Sequence, residues 1–307
     1  MKSQTASSFL MIRPKGFSYN LQTAATNIFQ QAAIGTASEI TNRAIEEFQH
    51  ILLRLQKMNL NIHVFDQSDN ETPDAVFPNN WISFHEDGKV ILYPMLTANR
   101  RKERRTDIVL ALKERYAIKE VIDLTYYENE NKFLEGTGSI VFDHVNSHAY
   151  ACLSERTNVD VLKKVCEIIG YKPYTFTASD KDIPIYHTNV MLHIGEGYAV
   201  LCAESIADIK ERKDLERILA FTGHEVVLIS KDQMHSFSGN MLQVQSMEGK
   251  KYTLLSSEAI RAFHFSQIEI ITKYSELISF DLHTIEKVGG GSTRCMIAEI
   301  FCPVKEL

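Results

Sequence analysis

The sequence contains 307 residues, a length that can bury a large hydrophobic core in one domain or in two smaller ones. Hydrophobic residues make up 44% of the chain and charged residues 23%, which is typical of ordinary soluble globular proteins. The net charge of −6 disfavours a nucleic-acid-binding protein, and the basic run at residues 100–105 is short and interrupted by Glu103.

The five cysteines are odd in number, widely spaced and free of C-x-x-C pairs. This pattern favours free thiols in a reducing compartment over a disulfide framework, and it contains no zinc motif. The first residues lack the apolar core of a secretory signal, and no stretch of 18 apolar residues indicates a membrane span. We therefore expect a cytoplasmic protein without membrane or nucleic-acid partners.

The predicted elements begin with a strand at residues 9–13, a helix at 37–57 and a strand at 61–65. The helix is predicted because apolar residues such as Ile40 and Ala44 recur on one face. The remaining predicted strand segments are 74–84, 90–93, 121–124, 133–142, 149–153, 186–192, 198–202, 237–244, 252–255, 267–271 and 295–301, and the remaining predicted helices are 101–114, 158–169, 207–221 and 258–265.

A repeat of 51 to 58 residues runs through this order of elements. Each unit reads strand, hairpin, helix, strand, and each begins near a small or polar residue. These residues are Asn80, Gly138, Asn189, Asn240 and Cys295. Because periods of this length indicate a repeat architecture, we predict an α/β fold with five units closed into a five-bladed propeller, as one domain over residues 1–307. The strand at residues 9–13 is predicted to complete the last unit, and chance periodicity is the weaker alternative.

The glycine-led segment 289–297 carries the strongest candidate for a nucleophile. Three glycines allow a loop to approach a ligand closely, and Cys295 follows them at the start of a predicted strand. A thiol at that position is well placed to attack a substrate, although an ordinary buried cysteine is the alternative.

In a ring, the residues that begin the units converge on one central channel. The convergence would bring together Asp74, Asn80, Glu135, His187, Asn189, Asn240 and Cys295. A thiol, an imidazole and a carboxylate are the groups of an activated nucleophile, and histidine transfers protons near neutral pH. Each residue alone is weak evidence, since a single histidine or glutamate is more often structural. Their matching positions in successive units favour catalysis.

These segments resemble the guanidino-group modifying superfamily with the pentein fold. That superfamily includes arginine deiminases, dimethylarginine dimethylaminohydrolases and amidinotransferases. The resemblance extends from about residue 74 to residue 302. The matching segments are Asp74-x-Val76-Phe77, Leu134-Glu135-Gly136, Leu153-Ser154-Glu155-Arg156-Thr157, His187-x-Asn189, the glycine-led Cys295 and the basic segment 99–103.

The resemblance implies that Cys295 attacks the central carbon of a guanidino or ureido group. It implies that His187 protonates the departing amine and later activates water, and that Glu135 binds a substrate N–H and orients His187. No metal or organic cofactor is implied.

The resemblance also implies residues that bind the substrate. Arg156 is implied to bind an α-carboxylate through its planar fork of donors, with an exposed charge at a helix start as the alternative. One arginine of segment 99–103 is expected to contact substrate; Arg101 is our candidate, and Arg100 stays open. Asp74 and Asn240 are further candidates, although such residues often only tie loops together.

Two departures from the deiminase pattern point to the substrate. Asn80 and Asn189 stand where the deiminases have aspartates. Arginine's guanidinium is cationic and needs anionic partners in a buried site, whereas the C=O of a neutral ureido group needs a donor, which an amide provides. The variant resembles the subgroup of citrulline utilization hydrolases, so we predict hydrolysis of citrulline to ornithine, ammonia and carbon dioxide. The alternatives are a deiminase, an amidinotransferase and, from another class, a non-catalytic binding module of the same fold.

Overall fold

The computed structural model describes residues 2–32 and 34–305 as alternating strands and helices. The strands are β1 (Ser8–Arg13), β2 (Asn61–Asp66), β3 (Ile82–Phe84), β4 (Lys89–Leu92), β5 (Glu120–Asp123), β6 (Val141–Asp143), β7 (His148–Cys152), β8 (Lys172–Phe176), β9 (Ser179–Asp180), β10 (Ile183–Pro184), β11 (Leu192–Ile194), β12 (Tyr198–Leu201), β13 (Glu225–Leu228), β14 (Leu242–Gln245), β15 (Lys251–Ser256), β16 (Glu276–Phe280) and β17 (Ala298–Glu299). The helices are α1 (Ala37–Lys57), α2 (Ala98–Arg101), α3 (Thr106–Arg115), α4 (Gly136–Ser139), α5 (Val159–Ile169), α6 (Ile209–Phe221), α7 (Lys231–His235), α8 (Ser257–Ala262) and α9 (Phe265–Thr272).

The described residues form five three-stranded sheets of the same topology. In each sheet, two antiparallel strands are followed by a third strand parallel to the middle one. The sheets are β3-β4-β5, β6-β7-β8, β11-β12-β13, β14-β15-β16 and β17-β1-β2. A helix lies in sequence between the middle and third strands of each sheet, as a parallel connection requires. The predicted α/β class and the repeated order of elements are confirmed.

The sheet β17-β1-β2 joins the two ends of the described chain. Strand β1 pairs with β17 in antiparallel orientation, with Leu10 opposite Ala298, and with β2 in parallel orientation. The prediction that the N-terminal strand completes the last unit is therefore confirmed. Phe84, at the end of β3, forms a parallel bridge with Ile300, which connects this sheet to its neighbour.

Local sequence signals explain the helix ends. Helix α1 begins at a capping box in which the Thr36 side chain accepts from the Glu39 N–H, and the Glu39 carboxylate accepts from the Thr36 N–H. Its apolar face, which includes Phe48, is buried. Helix α5 begins after Asn158, whose side chain caps it, and ends at Gly170 in the left-handed conformation.

Two predicted strands are wrong. The segment 133–142 contains helix α4 and only a short strand, because Gly136 has φ +46° and the Asn79 carbonyl packs where a side chain would begin. The segment 267–271 lies in helix α9, where Gln267 forms a capping box with His264. The isoleucines of that segment favour a strand by propensity, but the cap and the tertiary packing determine a helix.

The residues that begin the units lie in turns ahead of the strands. Asn80 ends the 3₁₀ turn Pro78–Asn80, and Asn189 lies in the 3₁₀ turn Thr188–Val190. Cys295 also lies in a turn, so the prediction that it starts a strand is wrong; only Ala298–Glu299 pairs with β1. The turns place these side chains at the ends of the sheets, where they contact residues of neighbouring units.

The hydrophobic core lies between the helices and the sheets. Buried clusters pack α1 against β14-β15-β16 and β17-β1-β2, and α6 against β11-β12-β13. Within the described residues, no helix combines the length and apolar character needed to cross a lipid bilayer.

Candidate active site

Side chains from different units meet at the ends of the sheets. The Asn240 Nδ2 donates to the Asn189 carbonyl at 3.1 Å, and both amides contact Cys295. A side chain built on Gly138 would lie 2.7 Å from the imidazole of His187 and would also clash with Asn80, so the glycine allows these residues to approach one another. The five residues that begin the units therefore lie around one region of the molecule.

The Cys295 thiol is buried and accepts hydrogen bonds from two amides. Asn240 Nδ2 lies 3.3 Å from Sγ, and Asn189 Nδ2 lies 3.5 Å from it. The turn is fixed by the Cys295 N–H, which donates to the Ser292 carbonyl at 3.0 Å. Burial raises the pKa of the thiol, whereas the bonds from Asn240, Ser292 and Asn189 act to lower it. The hydrogen bonds thus offset part of the cost that burial imposes on a thiolate.

His187 and Glu135 form a buried pair. His187 Nε2 lies 2.9 Å from Glu135 Oε2, and both side chains are at most 3% exposed. Burial lowers the pKa of His187 to about 4, so the imidazole is neutral at pH 7 and donates its Nε2–H to the carboxylate. Among the described residues, no hydrogen bond joins His187 to Cys295, which instead contacts the two asparagines.

Arg156 lies beside Glu135 and is buried, not an exposed charge at a helix start. Its Nη1 lies 3.4 Å from Glu135 Oε2, and its guanidinium lies over the ring of Tyr186 at 5.0 Å from the centroid. Burial alone would raise the pKa of Glu135, but Arg156, His187 and Arg100 together hold it well below its usual range. Arg156 also lines a surface cavity of about 160 Å³, through which a small molecule could reach it.

Arg100 lies at the centre of a charged cluster. Its Nε and Nη2 each donate to Glu103 at 2.9 Å, and its Nη1 donates to Asn80 Oδ1 at 2.7 Å. Asp74 and Glu135 lie 3.9 and 3.8 Å from the same guanidinium. Burial raises the pKa of Glu103 to about 7 despite Arg100. The cluster holds one of the two arginines of segment 99–103.

Arg101 lies outside this cluster, and our candidate is corrected. Its guanidinium donates to the carbonyls of Met95 and Leu96 and pairs with Glu128, and its side chain is 33% exposed. In the four-residue helix α2, consecutive side chains point about 100° apart, so only one of two adjacent arginines can enter the site. Arg100 occupies that place.

Asp74 lies in the same region and has one oxygen free. Its Oδ2 accepts from Asn20 at 2.7 Å and from Thr23 at 3.3 Å, whereas Oδ1 is buried without a partner in the described residues. Burial raises the pKa of the carboxyl group, although Arg100 and Asn20 act in the opposite direction. A buried carboxylate oxygen of this kind is an acceptor for a bound ligand.

The segment 20–30 contributes residues that the sequence reasoning missed. Asn20 donates to Asp74, and Thr23 and Thr26 accept from Arg156 through a carbonyl and a hydroxyl. Asn27 donates to the carbonyl of Gly289 on the nucleophile loop. The segment mixes polar and apolar residues without periodicity, so its sequence does not reveal partners so far away in the chain.

The site contains the groups that nucleophilic catalysis requires. It offers a sulfur supported by N–H donors, a histidine oriented by a carboxylate, and two buried arginines next to a free carboxylate oxygen. Such a site can attack an electron-poor carbon, move a proton onto a leaving group and hold the charged groups of an amino acid.

Comparison with known proteins agrees with this chemistry. Residues 13–302 match the family model described as N,N dimethylarginine dimethylhydrolase, eukaryotic. No curated protein matches the sequence.

Solved structures with similar folds share little sequence identity. The apo structure of ArgZ, an arginine dihydrolase from the ornithine-ammonia cycle in cyanobacteria, has a TM-score of 0.76 and 14% identity over 97% of this chain and 41% of that chain. AgrE in a binary complex with L-arginine has a TM-score of 0.76 and 16% identity over 97% of this chain and 41% of that chain. This chain therefore spans about two fifths of those proteins.

A third structure covers both chains almost completely. A dimethylarginine dimethylaminohydrolase adduct with S-methyl-L-thiocitrulline has a TM-score of 0.65 and 15% identity, over 98% of this chain and 100% of that chain. These likenesses concern the fold, whereas the family model covers nearly the whole sequence. The chain belongs to the N,N dimethylarginine dimethylhydrolase family of hydrolytic enzymes, within the guanidino-group modifying superfamily with the pentein fold.

Proposed function

We propose that this protein is a cysteine hydrolase that converts citrulline to ornithine, ammonia and carbon dioxide. Cys295 is the nucleophile, His187 transfers protons, and Glu135 orients the imidazole. One observation carries the proposal: among the described residues the side chains that donate to the thiol are amides, and the Glu135 carboxylate already faces the guanidinium groups of Arg100 and Arg156.

We also propose that the five sheets are the blades of a propeller in one domain over residues 1–307. The bridge between Phe84 and Ile300 connects two of the sheets, and the contacts of Asn80, Gly138 and Asn189 connect others. In this arrangement the turns at the inner ends of the blades surround the substrate.

The charge balance of the site supports a neutral substrate end. Three buried carboxyl groups, those of Asp74, Glu103 and Glu135, face two buried guanidinium groups. Because burial raises the pKa of both Asp74 and Glu103, the surplus of negative charge is small. The cationic guanidinium of a substrate would be repelled by the guanidinium of Arg100, whereas a neutral ureido group would not.

The remaining groups match the other end of an amino acid. Arg156 binds the α-carboxylate, reached through the cavity that it lines. The free Oδ1 of Asp74 accepts an N–H of the substrate. Asn80 and Asn189 present amide N–H groups, which can donate to the C=O of a ureido group, and Asn240 supports the sulfur.

The reaction begins when the Cys295 proton moves to His187 and sulfur attacks the ureido carbon. Glu135 stabilises the imidazolium, which then gives its proton to the departing nitrogen as the C–N bond breaks. The product is a carbamoyl-type thioester of Cys295. His187, neutral again, removes a proton from water, which attacks that carbon; the C–S bond breaks, and the sulfur takes the proton back from His187. The carbamic acid released in this step loses carbon dioxide as its remaining C–N bond breaks, and its nitrogen takes up the carboxyl proton. Overall, one citrulline and one water give one ornithine, one ammonia and one carbon dioxide.

Incubation of purified protein with citrulline tests the proposal. We expect equal amounts of ornithine and ammonia from the wild type and none from Cys295→Ala. Conversion of arginine to free citrulline at a higher kcat/KM than that for citrulline would overturn it in favour of a deiminase. Addition of paired amine acceptors distinguishes transfer from hydrolysis, because a transferase would form a new substituted product at the expense of carbon dioxide.

A second candidate is direct hydrolysis of arginine to ornithine. The free Oδ1 of buried Asp74 favours it, because that oxygen could accept from a guanidinium. ArgZ, which has a similar fold, is an arginine dihydrolase. Two ammonia molecules per ornithine from arginine, without release of citrulline, would support this candidate.

A further inference from the structure

A small cavity lies beside Asn189 and Arg294, and apart from Asn189 its lining residues have no role in the proposed reaction. Its volume is about 30 Å³, and its polar lining includes Asn189, Gln243, His193, Arg294 and Glu299. A cavity of this size holds one water molecule if at least two polar partners face it.

Two of the lining amides have unmet hydrogen-bonding capacity. Asn189 Oδ1 and Gln243 Nε2 are buried and have no partner in the described residues. The residues Asn189 and Gln243 are 1% and 2% exposed. One atom is an acceptor and the other is a donor, and they do not bond to each other directly. A buried polar group without a partner is costly, so a molecule between these two atoms is favoured.

Several other polar groups of the cavity are engaged. Arg294 donates to the Ile297 carbonyl at 2.9 Å and to Glu299 at 2.9 Å. The His193 Nε2 contacts the Tyr198 hydroxyl at 3.1 Å. The two lining atoms that are buried without a partner in the described residues are one acceptor and one donor, which matches a neutral molecule that both donates and accepts.

The two asparagines at the sulfur differ in how they are held. Asn240 is fixed at both ends of its amide, because Nδ2 also donates to the Asn189 carbonyl and Oδ1 accepts from the Arg294 N–H at 3.1 Å. Within the part of the chain that the structure describes, the Asn189 amide is held only through Nδ2, at 3.5 Å from Cys295 Sγ. If it rotated by 180°, Oδ1 would face the sulfur and oppose a thiolate.

We infer that the cavity binds one water molecule, which accepts from Gln243 Nε2 and donates to Asn189 Oδ1 and so keeps the Asn189 amide directed at Cys295. Gln243 is then a positioning residue that acts on the nucleophile through water and Asn189. The inference rests on the proposed function, since it explains how Cys295 is prepared for attack.

A crystal structure of the wild-type protein at high resolution tests the water site directly. We expect a single density peak within hydrogen-bonding distance of both Gln243 Nε2 and Asn189 Oδ1. An empty cavity, or an Asn189 amide whose Oδ1 faces Cys295, would overturn the inference. This result does not depend on any variant.

The positioning role is tested by the pH dependence of Cys295 alkylation with iodoacetamide. In Gln243→Met, which has a similar shape and no donor, we expect the apparent pKa of Cys295 to rise by about one pH unit. The matched control is Gln245→Met on the same strand, whose side chain accepts from Thr5 and does not line the cavity; its alkylation profile should equal that of the wild type.

An unchanged profile in a folded Gln243→Met protein would overturn the positioning role. Gln243 also accepts from the Glu196 N–H at 2.6 Å, so circular dichroism must first establish that the variant is folded. Neither measurement uses citrulline. If citrulline is not the substrate, the crystal structure and the alkylation profile still test the water site. If the water site is absent, the citrulline assay still tests the proposed function.

Discussion

Asn240 holds Cys295 from two directions: its Nδ2 lies 3.3 Å from the sulfur, and its Oδ1 accepts the N–H of Arg294, the residue before the cysteine. One side chain thus fixes both the nucleophile and the turn that carries it. The other thiols for which the structure gives a hydrogen bond differ, because those of Cys152 and Cys302 donate to backbone carbonyls. Amide N–H donors therefore distinguish Cys295.

The change Asn240→Asp tests this support. It preserves the shape and the acceptor for Arg294 but removes the N–H donor and adds a charge that opposes the thiolate. We expect kcat to fall by roughly 10²-fold, the magnitude found when one donor to a developing negative charge is lost. Steady-state kinetics with citrulline measures the effect. A folded variant with wild-type kcat would contradict the role of Asn240.

Selective alkylation provides a related test of the nucleophile. Burial raises the pKa of Cys152 to about 12, and no side-chain amide among the described residues donates to that thiol. We expect limited iodoacetamide at pH 8 to label Cys295 at least about tenfold faster than Cys152, because the thiolate is the reactive form. Peptide mass spectrometry gives both rates, and Cys295→Ser is the control. Equal labelling of the two cysteines in the folded protein would count against a prepared nucleophile.

The substrate assignment predicts the effect of Asn80→Asp. A carboxylate at this position would add negative charge beside Arg100 and remove the amide donor from the region of the ureido group. We expect the ratio of kcat/KM for citrulline to kcat/KM for arginine to fall by about tenfold or more, since hydrogen bonds to charged groups have that magnitude. Each substrate serves as the control for the other. An unchanged ratio would refute the argument from the asparagines.

The repeat of the fold could be predicted from the sequence because local sequence patterns determine its elements. Apolar strands, tight turns and amphipathic helices recur at a fixed period, and the face of helix α1 follows directly from Ile40, Ala44 and Phe48. The candidate site followed from the same repeat, because residues at equivalent positions approach a common region.

Tertiary contacts explain what the sequence did not reveal. Arg100 and Arg101 are chemically identical, and only the direction of the short helix α2 separates them. Asn20 and Thr23 reach Asp74 from more than 50 positions away, in a segment without periodicity. The sequence around Gln243 does not indicate a functional role, because the amide Nε2 of Gln243 differs from that of other glutamines in the cavity that it lines.

The two adjacent arginines offer a matched pair of variants. Arg100→Gln leaves Glu103, Asp74 and Glu135 without their shared cation, and removal of one partner from a buried ion pair costs about 3–5 kcal/mol. Arg101→Gln removes a partly exposed side chain, for which a change of about 1 kcal/mol or less is expected. Urea unfolding measures the free energy of unfolding of each variant. Similar decreases in the two variants would contradict the conclusion that Arg100 neutralises the buried carboxylates.

Buried histidines should make the fold sensitive to acid. Burial lowers the pKa of His85 and His187 to about 4, and that of His144 and His193 to about 3, below the ordinary value of 6.5. Between these values and 6.5 the unfolded chain binds protons that the folded chain does not. Stability must therefore fall as the pH falls from about 6.5 to about 4, by up to about 1.4 kcal/mol per pH unit for each histidine.

Buried carboxyl groups oppose this trend over part of the range. Burial raises the pKa of Glu103 and Glu286 to about 7, and it also raises the pKa of Glu47, Asp74 and Glu299, so the folded chain keeps protons there that the unfolded chain has lost. Their contribution falls as the pH rises toward about 7. Burial lowers the pKa of His63 and His148 as well, so six histidines oppose five carboxyl groups, and we expect the net stability to increase with pH up to about 6.5 and then to decrease slightly toward pH 7.

Urea unfolding at intervals between pH 4.5 and pH 7.5 measures this profile, and His193→Asn isolates one contributor. The variant should reduce the slope between pH 5 and pH 6 by about 1.4 kcal/mol per pH unit, because one proton fewer is taken up on unfolding. His50→Asn, the same change at an exposed position of helix α1, is the matched control for the substitution itself. A wild-type slope in His193→Asn would contradict the prediction, because it would mean that His193 is protonated in the folded protein. Burial and the nearby Arg294 both oppose that charge.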